Sequence, residues 1–187
     1  GGMQLFKTES YETPDKVVPK AASFAAGISI VYITLTIVWA FMLWGAGMSI
    51  FDSIAHAMTT LATGGYSTKS ESLAAFNSST IEIIIIFGML VGSLPFVHYL
   101  TITKNGIKNL IKDDQVKLFL TLVFFVVLIM SLYLSSNNIP YLEALRLASF
   151  NVISIITGTG FGTSDFSDWG GFPTTILLIL MFVGGCA

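Results

Sequence analysis

The chain has 187 residues, 53% hydrophobic and only 11% charged, with a mean hydropathy of +0.79. A soluble domain carries roughly 25% charged residues, so this composition belongs in a membrane. Nine Lys+Arg against eleven Asp+Glu leave a net charge of −2, which excludes a polyelectrolyte binder of nucleic acid, and so apolar a chain is not disordered. The single cysteine, Cys186, offers no pair for a disulfide or a metal site. The first twenty residues are polar and show no cleavable signal pattern. The chain opens on Gly1-Gly2 and closes on Gly184-Gly185-Cys186-Ala187 inside an apolar run, and is expected to be a piece of a longer polypeptide.

In chain order, residues 1–20 read as a polar connector. Ala21–Trp44 is a charge-free run of 24 residues, and a spanning helix needs about 20. Trp39 and Trp44 sit near its far end, where interfacial aromatics belong. Residues 49–62 read as a short helix opened by a Ser49-x-x-Asp52 capping box. The tract Thr63-Gly64-Gly65-Tyr66-Ser67-Thr68 follows. Ser79-x-x-Glu82 reads as a second capping box, opening a span over Ile83–Thr103, although Pro95 should break or kink that helix. Residues 104–117 form a lysine-rich loop. A third span covers Leu118–Leu142. Pro140 and Glu143 mark the start of a second short helix, 141–157, which runs into Gly158-Thr159-Gly160-Phe161-Gly162-Thr163. A last span begins at Gly170. Both short helices are too short to span with ease and too apolar for loops, a pattern of re-entrant segments.

Charge sets the orientation. Lys7, Lys16, Lys20, Lys104, Lys108, Lys112 and Lys117 precede the first span or lie between the second and third, whereas only Lys69 and Arg146 lie in the other connections. Positive charge stays inside, so residues 1–20 and 104–117 are expected in the cytoplasm and both tracts toward the outside.

The two halves repeat. A shift of 95 places Gly65-Tyr66-Ser67-Thr68 on Gly160-Phe161-Gly162-Thr163 and Thr59 on Ser154. A shift of 92 places Val91-Gly92-Ser93 on Val183-Gly184-Gly185 and Met89 on Met181. Each unit reads span, short helix, tract, span, over 21–103 and 118–187. Two crossings per unit return the chain to its starting side, so the repeats are parallel. The expected fold class is therefore an all-α membrane protein of parallel span–re-entrant pore helix–filter loop–span units.

The tracts carry the chemistry. Glycine reaches positive φ without a Cβ penalty, so successive carbonyls can point the same way, and stacked carbonyl rings can replace the hydration shell of an alkali cation. The C-terminal ends of the short helices would aim the negative end of their dipoles at mid-membrane, which favours a cation. A nucleotide-binding reading fails, because no strand precedes Gly158-x-Gly160 and no Gly-Lys-Ser/Thr occurs.

The stretch His56-Ala57-Met58-Thr59-Thr60-Leu61-Ala62-Thr63-Gly64-Gly65-Tyr66-Ser67-Thr68, with Phe76-Asn77-Ser78, resembles the second pore repeat of the TrkH potassium-uptake subunit family, part of the wider Trk/Ktr/HKT superfamily. Phe150-Asn151-Val152-Ile153-Ser154-Ile155-Ile156-Thr157-Gly158-Thr159-Gly160-Phe161 resembles its third repeat, and Gly184-Gly185-Cys186-Ala187 resembles the start of its intramembrane gate. The resemblance implies four repeats in one polypeptide around a single potassium path, in a bacterial inner membrane. It also implies a homodimer and a cytoplasmic nucleotide-binding regulator of the TrkA type. Carried over residue by residue, the K+ ligands would be the backbone carbonyls of Thr63, Gly64, Gly65, Gly158, Thr159 and Gly160.

Other residues read more simply. His56 is expected to hydrogen-bond within its helix, with Asn151 in the matching place. His98 should reach the cytoplasmic interface. Glu82 and Asp52 read as helix caps, Asp165 and Asp168 as acids at the outer mouth, and Arg146 as a partner for Glu143 or Asp168. The lysines of 104–117 orient the chain, and could also meet lipid headgroups or the regulator. A secondary transporter of another monovalent cation or small solute is the alternative, but it predicts inverted repeats. An intramembrane enzyme is disfavoured, because the spans hold no paired acids and His56 has no nucleophile partner.

Overall fold

The computed structural model describes residues 14–105, 113–164 and 169–183, the side chains of 14–20 and 101–105 excepted. All its regular elements among these residues are helical. Helix α1 covers Pro14–Gly45, α2 Ile50–Leu61, α3 Ser79–Ser93, α4 Phe96–Asn105, α5 Asp114–Ser136, α6 Tyr141–Ile156 and α7 Gly171–Val183, and a 3-10 turn occupies Ser72–Phe76 between α2 and α3. Lys7, Lys108, Lys112, Asp165, Asp168 and the stretch 184–187 lie outside the described residues, as do the side chains of Lys16, Lys20 and Lys104.

Two helices are long and apolar enough to cross a membrane, α1 over Ala21–Gly45 and α5 over Asp114–Ser136. Their outer surfaces stay apolar: Ile30, Phe41, Leu118 and Phe124 are all more than 60% exposed. A soluble monomer rarely exposes more than a few hundred Å² of contiguous apolar surface, whereas lipid accepts it.

The expected second span is not one helix. It divides into α3 and α4 at Leu94–Pro95. Pro95 has no N–H to give the Val91 carbonyl four residues back. The Tyr99 hydroxyl donates to that carbonyl instead, at 2.7 Å, and the Leu94 N–H adds a bond at 3.4 Å. At 15 residues, α3 alone is about 22 Å long, short of a hydrocarbon core of about 30 Å. Only with α4 does the pair reach spanning length.

The start of α3 also differs from expectation. Its N-cap is Ser78, whose hydroxyl accepts from the Ile81 N–H. Ser79 is already helical, and Glu82 is not part of a capping box. The other starts follow the sequence: Ser49 accepts from the Asp52 N–H at 3.1 Å and donates to the Asp52 carboxylate at 2.8 Å, and Pro140 caps α6.

The packing order is shared by the two units. α1 packs along α2, and α2 against α3; likewise α5 packs along α6, and α6 against α7. The main helix contact between the units is α3 on α6. Within the first unit α3 comes very close to α1 and α2 because Gly88 and Gly92 lack side chains. A Cβ on Gly88 would stand 2.4 Å from Trp39 Nε1, and one on Gly92 2.7 Å from the Leu61 carbonyl oxygen. The approach lets Trp39 Nε1 donate to the Ile84 carbonyl at 3.0 Å, and Tyr32 of α1 donates to the Met58 carbonyl near the end of α2 at 3.1 Å.

At the lysine-rich end, Asp113 caps α5. Its carboxylate accepts from the N–H groups of Gln115 at 2.8 Å and Val116 at 3.2 Å, and meets His98 Nε2 at 3.1 Å. The Val116 and Gln115 bonds, in that order, hold its carboxyl below the usual carboxylate range, with His98 adding to them. His98 thus has a specific partner rather than only the interface expected from its place in the chain.

Candidate ion-path tracts

The two short helices end with three matching bonds, and the first adds a fourth, from Gly64 N–H to the Thr59 carbonyl at 2.8 Å. Ala62 N–H bonds to the Met58 carbonyl and Thr157 N–H to the Ile153 carbonyl, each at 3.0 Å. Thr63 N–H reaches Thr60 at 3.1 Å and Gly158 N–H reaches Ile155 at 3.0 Å. Gly65 N–H points to the Thr59 carbonyl at 3.4 Å, and Gly160 N–H to the Ser154 carbonyl at 3.0 Å. Each pair is separated by the same offset of 95 that aligns the sequences.

The tracts also share a backbone form. Thr63 and Gly65 have φ of +48° and +67°, and Gly158 and Gly160 have +72° and +82°, while the residues between them stay at negative φ. Residues of positive φ alternating with residues of negative φ allow successive carbonyls to turn to the same side. Gly65 and Gly160 are the sequence's solution to that need. Thr63 adopts it without being glycine.

A hydroxyl in the last turn of each short helix ties its tract in place. Thr59 Oγ1 donates to the Tyr66 carbonyl at 2.9 Å, and Ser154 Oγ donates to the Phe161 carbonyl at 2.7 Å. The carbonyls of the aromatic residues are therefore already engaged. Sequence comparison aligned Thr59 with Ser154 but did not show this bond; the signal was a hydroxyl seven residues before each aromatic. In the second tract the Thr159 hydroxyl turns back to Thr157 Oγ1 at 2.7 Å.

Behind the tracts the units differ. His56 is fully buried, with Nδ1 2.7 Å from the Asp52 carbonyl and Nε2 2.9 Å from Ser67 Oγ. A carbonyl only accepts, so Nδ1 carries a proton and donates to it, while Nε2 pairs with the Ser67 hydroxyl. Asp52 accepts from Thr68 at 2.5 Å and lies 3.5 Å from Lys69 Nζ. In the second unit Asn151 makes the corresponding bond to the Leu147 carbonyl, at 3.0 Å. The hydrogen-bonding expectation for both residues is met; Ser49, not Asp52, is the cap of α2, and the Asp52 carboxylate serves as a partner of that cap, a tract anchor and an ion-pair partner.

The structure brings the tracts side by side. A Cβ built on Gly65 would lie 1.8 Å from the Thr159 carbonyl oxygen. The 3-10 turn of the first unit holds the second tract, through Leu73 N–H to the Gly162 carbonyl and Gly162 N–H to Ser72 Oγ, both at 3.2 Å. The His56 ring stacks on Phe161 with centroids 6.0 Å apart. Arg146 Nη1 of α6 bonds to Glu82 Oε2 of α3, so Arg146 takes Glu82 rather than Glu143. None of these contacts between the units was legible in the sequence. By contrast, Cβ positions on Gly158 and Gly160 would meet nothing within 4 Å, and both residues are exposed. The tracts thus touch along one edge and leave another open. Among the described residues no group of three or more His, Cys, Asp or Glu is placed to hold a metal ion; a cation here would be met by backbone oxygen.

Long lipid-facing helices around paired short helices that end in glycine-rich backbone define a helical membrane protein of the transport class. A family model described as "TrkH: Cation transport protein" matches residues 1–187, and the chain belongs to that family, a family of transporters and not of enzymes. It is 36% identical over its whole length to the Trk system potassium uptake protein TrkI of Halomonas elongata, covering 38% of that protein. It is 34% identical to TrkH of Escherichia coli K12, covering all of this chain and 40% of that protein. The crystal structure of the potassium transporter TrkH from Vibrio parahaemolyticus superposes with a TM-score of 0.85 at 32% identity, over 95% of this chain and 38% of that one. The chain spans about two fifths of the length of the curated relatives it matches.

Proposed function

We propose that this chain supplies two adjoining units of a potassium path, with the backbone carbonyls of Thr63, Gly64, Gly65, Gly158, Thr159 and Gly160 as ion ligands. The observation that carries the reading is the pair of tracts with matching caps and matching φ alternation, set edge to edge. Such backbone can present carbonyls in place of a hydration shell, and irregular backbone at membrane depth persists where it lines a water-filled path or is buried in protein. The α2 and α6 C-termini direct their dipoles toward the tracts, which favours a cation. Translocation is then diffusion between carbonyl cages, with no covalent step. The relatives' names specify potassium as the ion. Their designation as a Trk system supports a multicomponent assembly, for which we propose a homodimer in the bacterial inner membrane with a TrkA-type cytoplasmic regulator. The parallel order of the units counts against a transporter of inverted repeats.

The test uses the full-length protein in bacteria deficient in potassium uptake, with rubidium as tracer. Gly65→Val and Gly160→Val each force a β-branched residue into left-handed backbone, at roughly 1–2 kcal/mol, and Gly65→Val also drives Cβ into the Thr159 carbonyl. Both should abolish uptake or its preference for potassium over sodium, Gly65→Val more completely. Wild-type uptake and selectivity in both variants would end the proposal.

A further inference from the structure

Resting on that reading, we infer that Glu82 and Arg146 are positioning residues of the ion path: their ion pair sets the relative placement of the two tracts, and through it which cation the path prefers. The pair joins residues 64 apart in sequence and, among the described residues, is the ionic contact between the packed helices α3 and α6 of the two units, His98 and Asp113 meeting at the lysine-rich end. Both side chains are withdrawn from solvent, Glu82 at 8% exposure and Arg146 at 25%.

Its place in the fold gives it leverage. Glu82 lies in the first turn of α3 and Arg146 in the second turn of α6, the two helices that form the main contact between the units. From Arg146 to Ile156, where the second tract is about to begin, runs about 15 Å of unbroken helix. A slip of α6 along α3 is therefore passed on to Thr159, whose carbonyl already presses on Gly65. The other ties to the second tract, Ser72 and Leu73 to Gly162 and His56 to Phe161, sit at the tract and beyond it. The ion pair holds the opposite end of α6. Together they fix the helix at two points and so fix its axial position.

The choice of charged residues fits this role better than a role in stability. A buried ion pair is often matched or bettered for stability by apolar residues of the same volume, and its best attested use is to specify register. The pair also cancels its own charge. An unpaired Arg146 would oppose cations beside the path, and an unpaired Glu82 would attract them indiscriminately. The two single losses thus have opposite electrostatic sign but a common geometric effect.

The experiment measures rubidium uptake and its inhibition by sodium in the full-length protein, each normalised to protein in the membrane. The variants are Glu82→Gln, Arg146→Gln, Arg146→Lys and the exchanged pair Glu82→Arg with Arg146→Glu. Glu82→Gln and Arg146→Gln should each weaken discrimination against sodium about tenfold, the scale of a coupled pair. Glu82→Gln should raise KM for rubidium and Arg146→Gln should lower it. Arg146→Lys should lie between, and the exchanged pair should restore discrimination. Wild-type discrimination in both single variants, or an exchanged pair as impaired as the singles, overturns the inference. So does a failure of every variant, including Arg146→Lys and the exchanged pair, to accumulate in the membrane, since the pair would then serve folding alone. Gly160→Val run in parallel separates the two readings: if it alters selectivity while the ion-pair variants do not, only the positioning role falls.

Discussion

At the scale of single residues, Thr63 and Gly158 occupy matching positions with the same backbone sign, yet only one is glycine. A non-glycine residue in left-handed backbone costs roughly 1–2 kcal/mol. Thr63 persists there because the N–H bonds to Thr60 and Thr59 on either side hold the turn. The need for glycine at 65 and 160 was legible in the sequence, because a glycine before an aromatic recurs at the same offset. The partner of Glu82 was not. Ser78 and Ser79 both qualify as caps, and a carboxylate three residues after Ser79 looks local until the fold places Arg146 beside it. Asp113, at the lysine-rich end, is a residue whose ionisation speaks to acid stability. Its folded pKa lies below the ordinary value, so its contribution is complete above the unfolded pKa, near pH 4, and is lost as pH falls through the lowered folded value. Asparagine caps a helix about as well as aspartate. Asp113→Asn should therefore leave the melting temperature of purified protein at pH 7 within a few degrees of wild type and flatten its decline between pH 5 and pH 3, as followed by thermal denaturation in detergent.

At the scale of elements, hydropathy and length found α2 and α6 to within a residue at each end, but began α1 seven residues late, at Ala21 rather than Pro14, and set α5 at Leu118–Leu142 rather than Asp114–Ser136, because polar first-turn residues do not register in an apolar run. They overlooked the division of the second span, because apolar composition runs straight through Leu94-Pro95 and a sliding average does not register one missing N–H. Pro95 pointed to a break. What the sequence could not convey was that Tyr99, one turn further on, would supply the lost donor. Tyr99→Phe removes that donor and leaves the Val91 carbonyl with the 3.4 Å bond from Leu94 alone. A lost neutral hydrogen bond of this kind is worth about 1 kcal/mol, and the variant should melt a few degrees lower. Pro95→Ala restores the helical donor and should join α3 to α4, visible as a loss of the bend in a structure of the variant. A melting temperature unchanged by Tyr99→Phe would show that water or lipid already serves that carbonyl.

At the scale of the whole molecule, the repeat was legible and the joint between its copies was not. Patterns of glycine and apolar residues report what each unit does internally. They are silent about surfaces that meet only when two units stand side by side. The joint is head to tail: one surface of the first unit meets a different surface of the second. Tyr66 makes the point, since it matches Phe161, yet it is 79% exposed while Phe161 is 3% exposed. Phe161 has His56 of the preceding unit to rest on. A head-to-tail contact does not satisfy itself, and propagates until a ring closes.

The connection from Lys69 to Asn77 inherits an unusual constraint from this arrangement. Surface loops ordinarily tolerate insertions, and natural variation in length collects there. This one is held at both sides, by Phe76 edge-on against His56 within its own unit and by Ser72 and Leu73 on Gly162 of the next. Lengthening it pulls on both glycine-rich tracts at once. A short flexible epitope inserted between Ser72 and Leu73 should therefore abolish rubidium uptake while the protein still reaches the membrane, whereas the same epitope between Asn137 and Asn138 should be borne with most activity intact. Equal tolerance at the two sites would mean that the first loop, for all its contacts, transmits nothing. For anyone tagging or grafting onto a protein of this kind, the safest-looking surface on the first unit is the one to avoid.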